Sequence, residues 1–383
     1  MEPFIHLHVH TQYSLLDGQA SIDALVDKAQ KDGMNAIAVT DHGNMFGIKE
    51  FFNKVSKKNG KPLGAIKDLE KEQKALKGKE ELTAEEQARL GEIPGLIEAE
   101  KKKIFKPIIG CECYCARNGR FSKTAKEDRS GYHLIVLAKN LNGYKNLIKM
   151  VSISWTEGFY GRPRIDHELL EKYHEDLIIC SACIGGEIPQ HILNGRMDKA
   201  EESVLWFKNL FGEDYYLEIQ RHETHDPNAA QDVYPHQVTA NKAILELARK
   251  HNIKVIATND VHFVNAEDAE AHDRLICLST GKDLDDPNRM RYTKQEWMKT
   301  TAEMNTIFSD IPEALSNTLE IADKVEFYSI DHGPIMPTFA IPEDFGTEEE
   351  YRQKFTEQDL FDEFTRDENG NVVLSEEAAH DKI

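Results

Sequence analysis

The sequence predicts a parallel α/β fold closed into a barrel, and three observations lead there. Short apolar runs alternate with amphipathic stretches from residue 4 to about residue 280. Roughly seven such units follow one another, which suits a barrel better than an open sheet. Metal-ligating residue types stand just after the apolar runs again and again, as expected where barrel strands converge on one mouth.

The strand candidates, in order, are Phe4–Val9, Ala36–Thr40, Pro107–Ile109 with its continuation, His133–Ala138, Leu177–Cys180, Tyr216–Ile219 and Lys254–Thr258. Between them, apolar residues recur with helical spacing over Ile22–Lys31, Leu141–Ile153, Lys199–Phe211 and Val238–His251. Lys and Glu dominate Ser56 to Lys106, and these mixed charges predict a solvated helical insertion instead of a partner-binding arm. Thr83 and Glu86 form a capping-box pattern that starts a short helix there, and Pro94 is expected to interrupt it. The barrel is assigned to 1–285, with 56–106 as the insertion.

The remainder, 286–383, reads as a linker and the incomplete beginning of a further domain. It offers an amphipathic helix over Pro312–Val325, a Pro-punctuated segment from Pro334 to Pro342, an acidic run at Glu348–Glu350 and a turn at Asp367–Asn371. No core-sized set of apolar residues follows Ile341, so the chain is expected to stop partway into that domain.

Composition narrows the function classes. A net charge of −20, from 67 acidic and 47 basic residues, argues against a general electrostatic grip on nucleic acid or an anionic membrane. A local contact remains open, because bound divalent cations would offset the charge where a phosphate must sit. No signal peptide and no membrane-spanning apolar stretch is visible, and six cysteines in so long a chain do not resemble a secreted disulfide framework. A reducing, cytoplasmic setting is expected. Cys111, Cys113, Cys115, Cys180 and Cys277 read as small buried apolar residues.

His8 and His10 alternate at the end of an apolar run, so in a strand both imidazoles face the same way. Alone, such a pair equally fits two partly exposed strand histidines. Here Asp41-His42, Glu112, Cys183 and Asp260 with His262 follow the other runs. Imidazole, carboxylate and thiolate together suit zinc, or manganese and iron where carboxylates dominate. Several histidines with carboxylates able to bridge favour more than one ion, and clustered ions suit in-line displacement at phosphorus. Neither a Ser-His-Asp arrangement nor a Gly-rich phosphate loop competes with this reading. His133 stands at the start of its run, where a structural role explains it equally well.

Four further residues are candidate phosphate contacts: Arg162 and Arg164, and Arg221 with His222, which follow or end strand-like segments. Surface salt bridging is the alternative for the arginines. Phe159 and Tyr160 can stack on a base or pack in the core.

The runs Phe4-Ile-His-Leu-His-Val-His-Thr11, Ser14-Leu-Leu-Asp-Gly18 and Ala36-Ile-Ala-Val-Thr-Asp-His-Gly-Asn-Met-Phe-Gly47 resemble the opening of the polymerase-and-histidinol-phosphatase (PHP) domain. Pro107-Ile-Ile-Gly-Cys-Glu-Cys-Tyr114, Ser181-Ala-Cys-Ile-Gly-Gly-Glu-Ile-Pro189 and Ala257-Thr-Asn-Asp-Val-His-Phe263 fit the version at the N-terminus of bacterial C-family replicative DNA polymerases. The resemblance covers roughly residues 1–345, including Pro312–Ala322, which looks like the passage toward the polymerase palm.

The resemblance implies a distorted seven-stranded (β/α) barrel with three divalent ions, zinc favoured over manganese or iron. By it, His8, His10 and Asp260 would hold one ion, and Glu112 would bridge to a second completed by His133 and Cys183. Asp17, His42 and His262 would hold the third. Glu112, His10, Asp260 and His262 would be the catalytic core of a 3′–5′ exonuclease acting on a primer 3′ end. The implied partners are DNA, the rest of a polymerase chain and replisome subunits such as a sliding clamp, a clamp loader and a separate proofreading subunit, with no membrane. The polymerase's own catalytic aspartates have no match here, so this chain is not expected to polymerise DNA. Two departures stand out: the insertion is longer than the family loop, and Cys183 stands where some relatives use histidine. A metal-braced scaffold without nuclease activity, or a small-molecule phosphatase of histidinol-phosphatase type, remain the alternatives.

Overall fold

Residues 6–10 hold the architecture together, because this N-terminal segment hydrogen-bonds on both of its sides in the computed structural model. Ala38 N–H donates to the His6 carbonyl and Thr40 N–H to the Val9 carbonyl, while Val261 N–H donates to His8 and His10 N–H to Val261 on the other side. The structure describes residues 1–337, 346–375 and 377–378. Met1–Ile330 and Asp331–Ile383 are two compact units, so the first runs past the boundary expected at 285.

The first unit runs, in order, α1 (Ile22–Lys31), β1 (Ala36–Val39), α2 (Ile48–Lys58), α3 (Gly60–Lys77), α4 (Ala84–Lys101), β2 (Lys106–Cys115), β3 (Tyr132–Ala138), α5 (Leu141–Thr156), β4 (Arg164–Ile165), α6 (His167–Tyr173) and β5 (Leu177–Cys180). It continues with α7 (Glu187–Leu193), α8 (Met197–Phe211), β6 (Tyr215–Ile219), α9 (Val233–His251), β7 (Val255–Ala257), α10 (Ala269–Thr280), α11 (Thr301–Ile307) and α12 (Glu313–Lys324). The sheet order is β1-β2-β3-β5-β6-β7, with β4 paired to β2 off that path. The N-terminal segment lies between β1 and the chain after β7, closing a distorted barrel.

Two expectations about the strands are corrected. Phe4–Val9 is not a continuous strand: only Val9 forms a ladder bridge, to Val261. Its amides turn instead to side chains, Ile5 to Thr318 Oγ1 at 2.9 Å and Val9 to Thr40 Oγ1 at 2.8 Å, so neither ladder becomes regular. The sheet is also mixed, not parallel, since β3 runs antiparallel to both β2 and β5. A short link of some sixteen residues between β2 and β3, carrying a 3-10 turn at Lys126–Arg129, makes the reversal; a parallel return takes a crossover, usually helical.

Local chemistry explains the helices. Ser21 caps α1 through its side chain, and Ile22, Leu25, Val26 and Ala29 place one buried stripe on the sheet. In the insertion, α3 and α4 are long helices of 18 residues each, and Pro94 lies inside α4 without breaking it. The helix survives because Thr83 and Glu86 make the capping box, Ile93 is fully buried, and Arg89 pairs with Glu72 of α3 on the other side of the turn. Most of the pair is otherwise solvated, as its composition predicts.

In the second unit, α13 (Glu348–Lys354) and α14 (Glu357–Thr365) are each opened by a threonine capping box, from Thr347 and Thr356. The expected Asp367–Asn371 turn is present, with Gly370 at φ 82° and Asp367 N–H donating to the Asn371 carbonyl. Of the Pro-punctuated segment, residues 338–342, Ile341 included, lie outside the described residues.

Arg164 is a structural anchor and cannot grip phosphate. It is fully buried, and its guanidinium donates to the carbonyls of Gly158, Ser122 and Arg120 at 2.8–2.9 Å. Arg164→Ala orphans three carbonyls together, so a loss of about 3 kcal/mol or more is expected by urea denaturation. A near-neutral result would show that the loops are held by something else.

His6 is wholly buried, and burial first of all lowers its pKa to about 4 despite the Lys299 carbonyl beside it. Between that value and its unfolded value of about 6.5 the unfolded chain binds the extra proton, so stability falls as pH falls through this window, by ~1.4 kcal/mol per pH unit for this group. His6→Phe should flatten the stability-versus-pH slope between pH 6 and 4.5 by about one proton. An unchanged slope would exclude His6 as its source.

Candidate metal centre

Every sequence-predicted metal ligand arrives at one end of the barrel, from six separate stretches of chain. His8 and His10 come from the N-terminal segment, Asp17 from the turn after it, and His42 from the chain just past β1. Glu112 lies in β2, Cys183 follows β5, and Asp260 and His262 follow β7. His133 is the second residue of β3. Because β3 is antiparallel, its beginning lies where the other strands end, which brings His133 to the same mouth.

Glu112 sits at the centre, fully buried. One carboxylate oxygen is 3.3 Å from His8 Nε2 and 2.8 Å from His133 Nδ1. The other is 3.8 Å from His10 Nε2 and in close contact with His42 Nδ1. Asp260 Oδ1 lies 3.1 Å from His8 Nε2 and 3.2 Å from His10 Nε2. Asp17 reaches His42 at 3.0 Å and His262 at 3.9 Å, and Cys183 Sγ is 3.5 Å from His133 Nδ1. Three sets of donor atoms lie close enough to share a cation: His8, His10 and Glu112; Glu112, His133 and Cys183; and His10, His42 and His262. His10 thus stands in two groups, where the resemblance implied one ion for it.

Outer partners set which ring nitrogen faces inward. Glu218 accepts from His8 Nδ1 at 2.7 Å and is itself held by Thr258 and Gln220. Ser14 gives its proton to Asp41 at 2.7 Å, so its oxygen accepts from His10 Nδ1 at 3.0 Å. The Asp260 carbonyl accepts from His262 Nδ1 at 2.8 Å. Each bond occupies Nδ1 and leaves the Nε2 lone pair aimed into the cluster, as in carboxylate–histidine–metal arrangements.

The inward atoms are proximate but unpaired. His8 Nε2, His10 Nε2, His42 Nδ1, both Glu112 oxygens and Asp260 Oδ1 are buried without a hydrogen-bond partner among the described residues. Their ion-pair distances are close, yet the angles of a hydrogen bond are not met, which is the geometry of lone pairs directed at a common centre. Orphaned buried polar atoms are costly, so several in one place need a ligand to explain them. This donor set fits divalent cations. Asp260 also has φ 46°, and Ala182, beside Cys183, has φ 63°, left-handed conformations uncommon for residues with a side chain.

The electrostatics prepare the acids to bind cations. Burial would raise the Glu112 carboxyl, but His133 and His42 outweigh it and hold it well below the usual carboxylate range. Burial opposes Asp260 likewise, and His8, His10 and His262 overcome it. Burial, together with His42 and His262, pushes His10 down to about 3, so its imidazole is neutral at physiological pH. Burial pushes the Cys183 thiol up, with Asp260 and Glu112 adding to it.

The cluster opens onto a cavity of about 240 Å³ lined by His42, His133, Cys183, Asp260, His262 and Tyr292 among others. Tyr292 donates to Asp17 at 2.8 Å, from a segment beyond the expected barrel boundary. Beside the mouth, Trp155 Nε1–H donates to the Gly43 carbonyl at 2.8 Å, one residue past His42. Its ring stacks on Phe159 at 5.5 Å and lies 6.3 Å from Phe46, and all three are exposed. Arg162 lies 5.8 Å over the Tyr114 ring, itself 6.1 Å from His42.

The other candidate phosphate contacts are placed differently. Arg164 is the buried anchor described above. Arg221 is tied bidentately to Asp310 at 2.6 and 2.8 Å and to the Ile307 carbonyl, so its fork is already used. His222 lines the cavity, but Asn259 and Gln237 occupy its ring nitrogens. Tyr160 is half-buried beneath Arg164, whereas Phe159 is exposed. Sequence reasoning missed Glu218, although a carboxylate inside the apolar run of β6 is a signal for a buried partner. It also missed Ser14 and Tyr292, and for Tyr292 no local signal exists; Asp41, read among the ligand types, instead supports Ser14 and Thr11.

The PHP domain family matches residues 6–222. DNA polymerase III subunit alpha of Borreliella burgdorferi is 42% identical over 362 residues, 93% of this chain and 27% of the relative. The protein of that name from Treponema pallidum is 35% identical over 377 residues, 98% of this chain and 27% of the relative. That of Chlamydia pneumoniae is 34% identical, over 94% of this chain and 26% of the relative. The chain thus spans about a quarter of the length of these relatives, and no helix among its described residues is long and apolar enough to cross a membrane. With over half its length matched and its histidines, acids and thiol converging at one barrel mouth, the chain belongs to the PHP domain family.

Proposed function

We propose that this chain is the PHP portion of a bacterial replicative DNA polymerase and hydrolyses the 3′ end of DNA, with His8, His10, Asp17, His42, Glu112, His133, Cys183, Asp260 and His262 as ligands of three divalent ions, zinc favoured. The observation that carries this is the set of buried, unpartnered donor atoms beneath an open cavity. Bound there, divalent ions would supply Lewis-acid stabilisation of charge developing at phosphorus and would acidify a water.

The chain's own residues do the rest. Glu112 and Asp260 stay ionised because facing imidazoles outweigh the burial penalty. Glu218, Ser14 and the Asp260 carbonyl fix the tautomers of His8, His10 and His262, so these three rings need not reorient before binding. Phe46, Trp155 and Phe159 supply an exposed stacking surface for unpaired bases, and Arg162 is a charge for the backbone phosphate. Single-stranded 3′ ends suit this mouth better than a compact phosphomonoester, which would leave the aromatic surface without a role. DNA, the remaining polymerase chain and replisome subunits are the proposed partners.

The test is a 3′-labelled single-stranded primer incubated with the purified chain and Mn²⁺ or Zn²⁺. Wild type should release the label, and Asp260→Asn should reduce release by at least about 100-fold, given the usual cost of losing a metal-site residue. A wild-type chain with its ions bound that leaves the primer intact would sink the nuclease reading. It would favour the scaffold reading, which has its own support: the ligands come from six separate stretches of chain, so ions there would cross-link the barrel.

Trp155→Ala should raise KM for single-stranded substrate roughly 10-fold, from one lost base stack of ~1–3 kcal/mol, with metal content unchanged. Equal KM values for the two proteins would remove the aromatic surface from substrate binding.

A further inference from the structure

A second constellation lies away from the cluster. Cys115, at the end of β2, His167, at the start of α6, and Glu187, at the start of α7, place Sγ, a ring nitrogen and a carboxylate oxygen within 4.8 Å of one another. His167 Nε2 is 3.2 Å from Glu187 Oε2. His191, one helical turn after Glu187 on the same face of α7, brings Nε2 to 4.0 Å from Glu187 Oε1. His167, Glu187 and His191 border a cavity of about 390 Å³ lined also by Tyr132, Arg117 and Asp166, and Cys115 lies just behind its wall, next to the lining residue Ala116. Asp166 is committed to the Arg120 guanidinium and the Leu169 amide, whereas Glu187 hydrogen-bonds, among the described residues, only the Ser203 hydroxyl, at 2.5 Å, and the His167 ring.

Each donor alone has an ordinary explanation: a buried small residue, a histidine–glutamate hydrogen bond, a helix-surface histidine. Together they leave two facts over. Cys115 is 2% exposed and its thiol makes no hydrogen bond among the described residues. The buried Nδ1 of His191 likewise has no partner. His167 is stacked on Trp206 at 3.9 Å, which fixes its ring, while His191 lies edge-on to Tyr132 at 5.6 Å and, with Nδ1 unpartnered, has no hydrogen bond among the described residues that would stop its ring from turning toward Glu187.

We propose that Cys115, His167, Glu187 and His191 form a second, mononuclear site for a divalent cation of zinc type. One thiolate and one carboxylate balance a dication, and two neutral imidazoles complete four-coordination. Donors around tetrahedral zinc sit about 3.3–3.8 Å apart, given ~2.0–2.3 Å bonds; Cys115, His167 and Glu187 already lie within 4.8 Å of one another, and a turn of the His191 ring would add the fourth donor. On binding, the Cys115 proton is released to solvent as the metal–sulfur bond forms.

Its place in the fold gives it a role. Cys115 shares β2 with Glu112, three residues away, and Glu187 follows the Cys183–Gly186 turn. Gly186 bridges to His133, and the Gly185 carbonyl accepts from the His133 amide. An ion here would pin the segments that carry Glu112 and Cys183, and the second of these hydrogen-bonds the His133 amide. The proposal does not depend on what the main cluster catalyses.

The test is metal stoichiometry of the purified 383-residue chain after zinc loading and gel filtration. Cys115→Ser and His191→Ala should each bind one zinc fewer per chain than wild type. His191 is the safer variant because it lies on a partly exposed helix face. Cobalt gives an independent readout: in a Cys183→Ala background, which removes the main cluster's thiolate, near-ultraviolet thiolate-to-cobalt absorption should persist and then vanish on adding Cys115→Ser. Zinc content equal to wild type in both single variants, or no such absorption in Cys183→Ala, would overturn the proposal.

Discussion

A carboxylate buried among four imidazoles is the constraint around which the rest of this fold is arranged. Glu112 has no access to water, and four histidines, from the N-terminal segment, the chain after β1 and β3, crowd its two oxygens. An isolated ionised carboxylate at such a place would be very costly to bury. Without ions, a protonated His42, its burial outweighed by Glu112 itself, offsets the charge, and bound cations would take over that role as the imidazoles turn neutral ligands. The same arrangement explains why the barrel need not be regular. What matters is that each segment ends with its donor at the mouth, and the N-terminal segment does so while forming only one ladder bridge.

The supporting groups show how much of the polar interior serves that mouth. Glu218 is buried in β6 and spends itself on His8, Thr258 and Gln220. Asp41 is buried too, with its oxygens taken by Thr11 and Ser14. Neither is placed to touch a substrate. Their effect is on direction: each turns an imidazole, directly or through Ser14, so that one nitrogen is committed and the other is left free. Replacing such a partner would leave the ligand in place while loosening its aim, a fault that a list of ligands alone would not reveal.

Much of this was legible in the residues. The strand after residue 36, the strand at Leu177–Cys180 and the helix at Ile22–Lys31 follow from local apolar patterning, since each needs only its own neighbours to be recognised. His8, His10, His42 and Glu112 followed from their places along such runs. His133 did not, because its reach depends on β3 reversing direction, and reversal is a property of the β2–β3 connection and its pairing, not of the run itself. Arg164 was misread because an arginine's burial is decided by carbonyls brought in from residues 120, 122 and 158. Pro94 misled for a related reason: the packed face around Ile93 and the Arg89–Glu72 pair hold a helix that propensity alone would end.

The overall charge of −20 and a polyanionic substrate need not conflict. In the ligand set, Asp17, Glu112 and Asp260 bring three negative charges and a metal-bound Cys183 thiolate a fourth, while the histidines are neutral as ligands. Three divalent ions would carry six positive charges, leaving the mouth positive by two. A phosphodiester and an ionised water together would neutralise it. Screening confines that field to about 8–10 Å at ordinary ionic strength, so only a phosphate delivered to the mouth feels it. Exposed Arg162 and the stacking surface of Trp155 and Phe159 lie beside that mouth, where delivery has to occur. Attraction to DNA would thus come from the centre and its rim, while the acidic remainder of the surface discourages binding elsewhere.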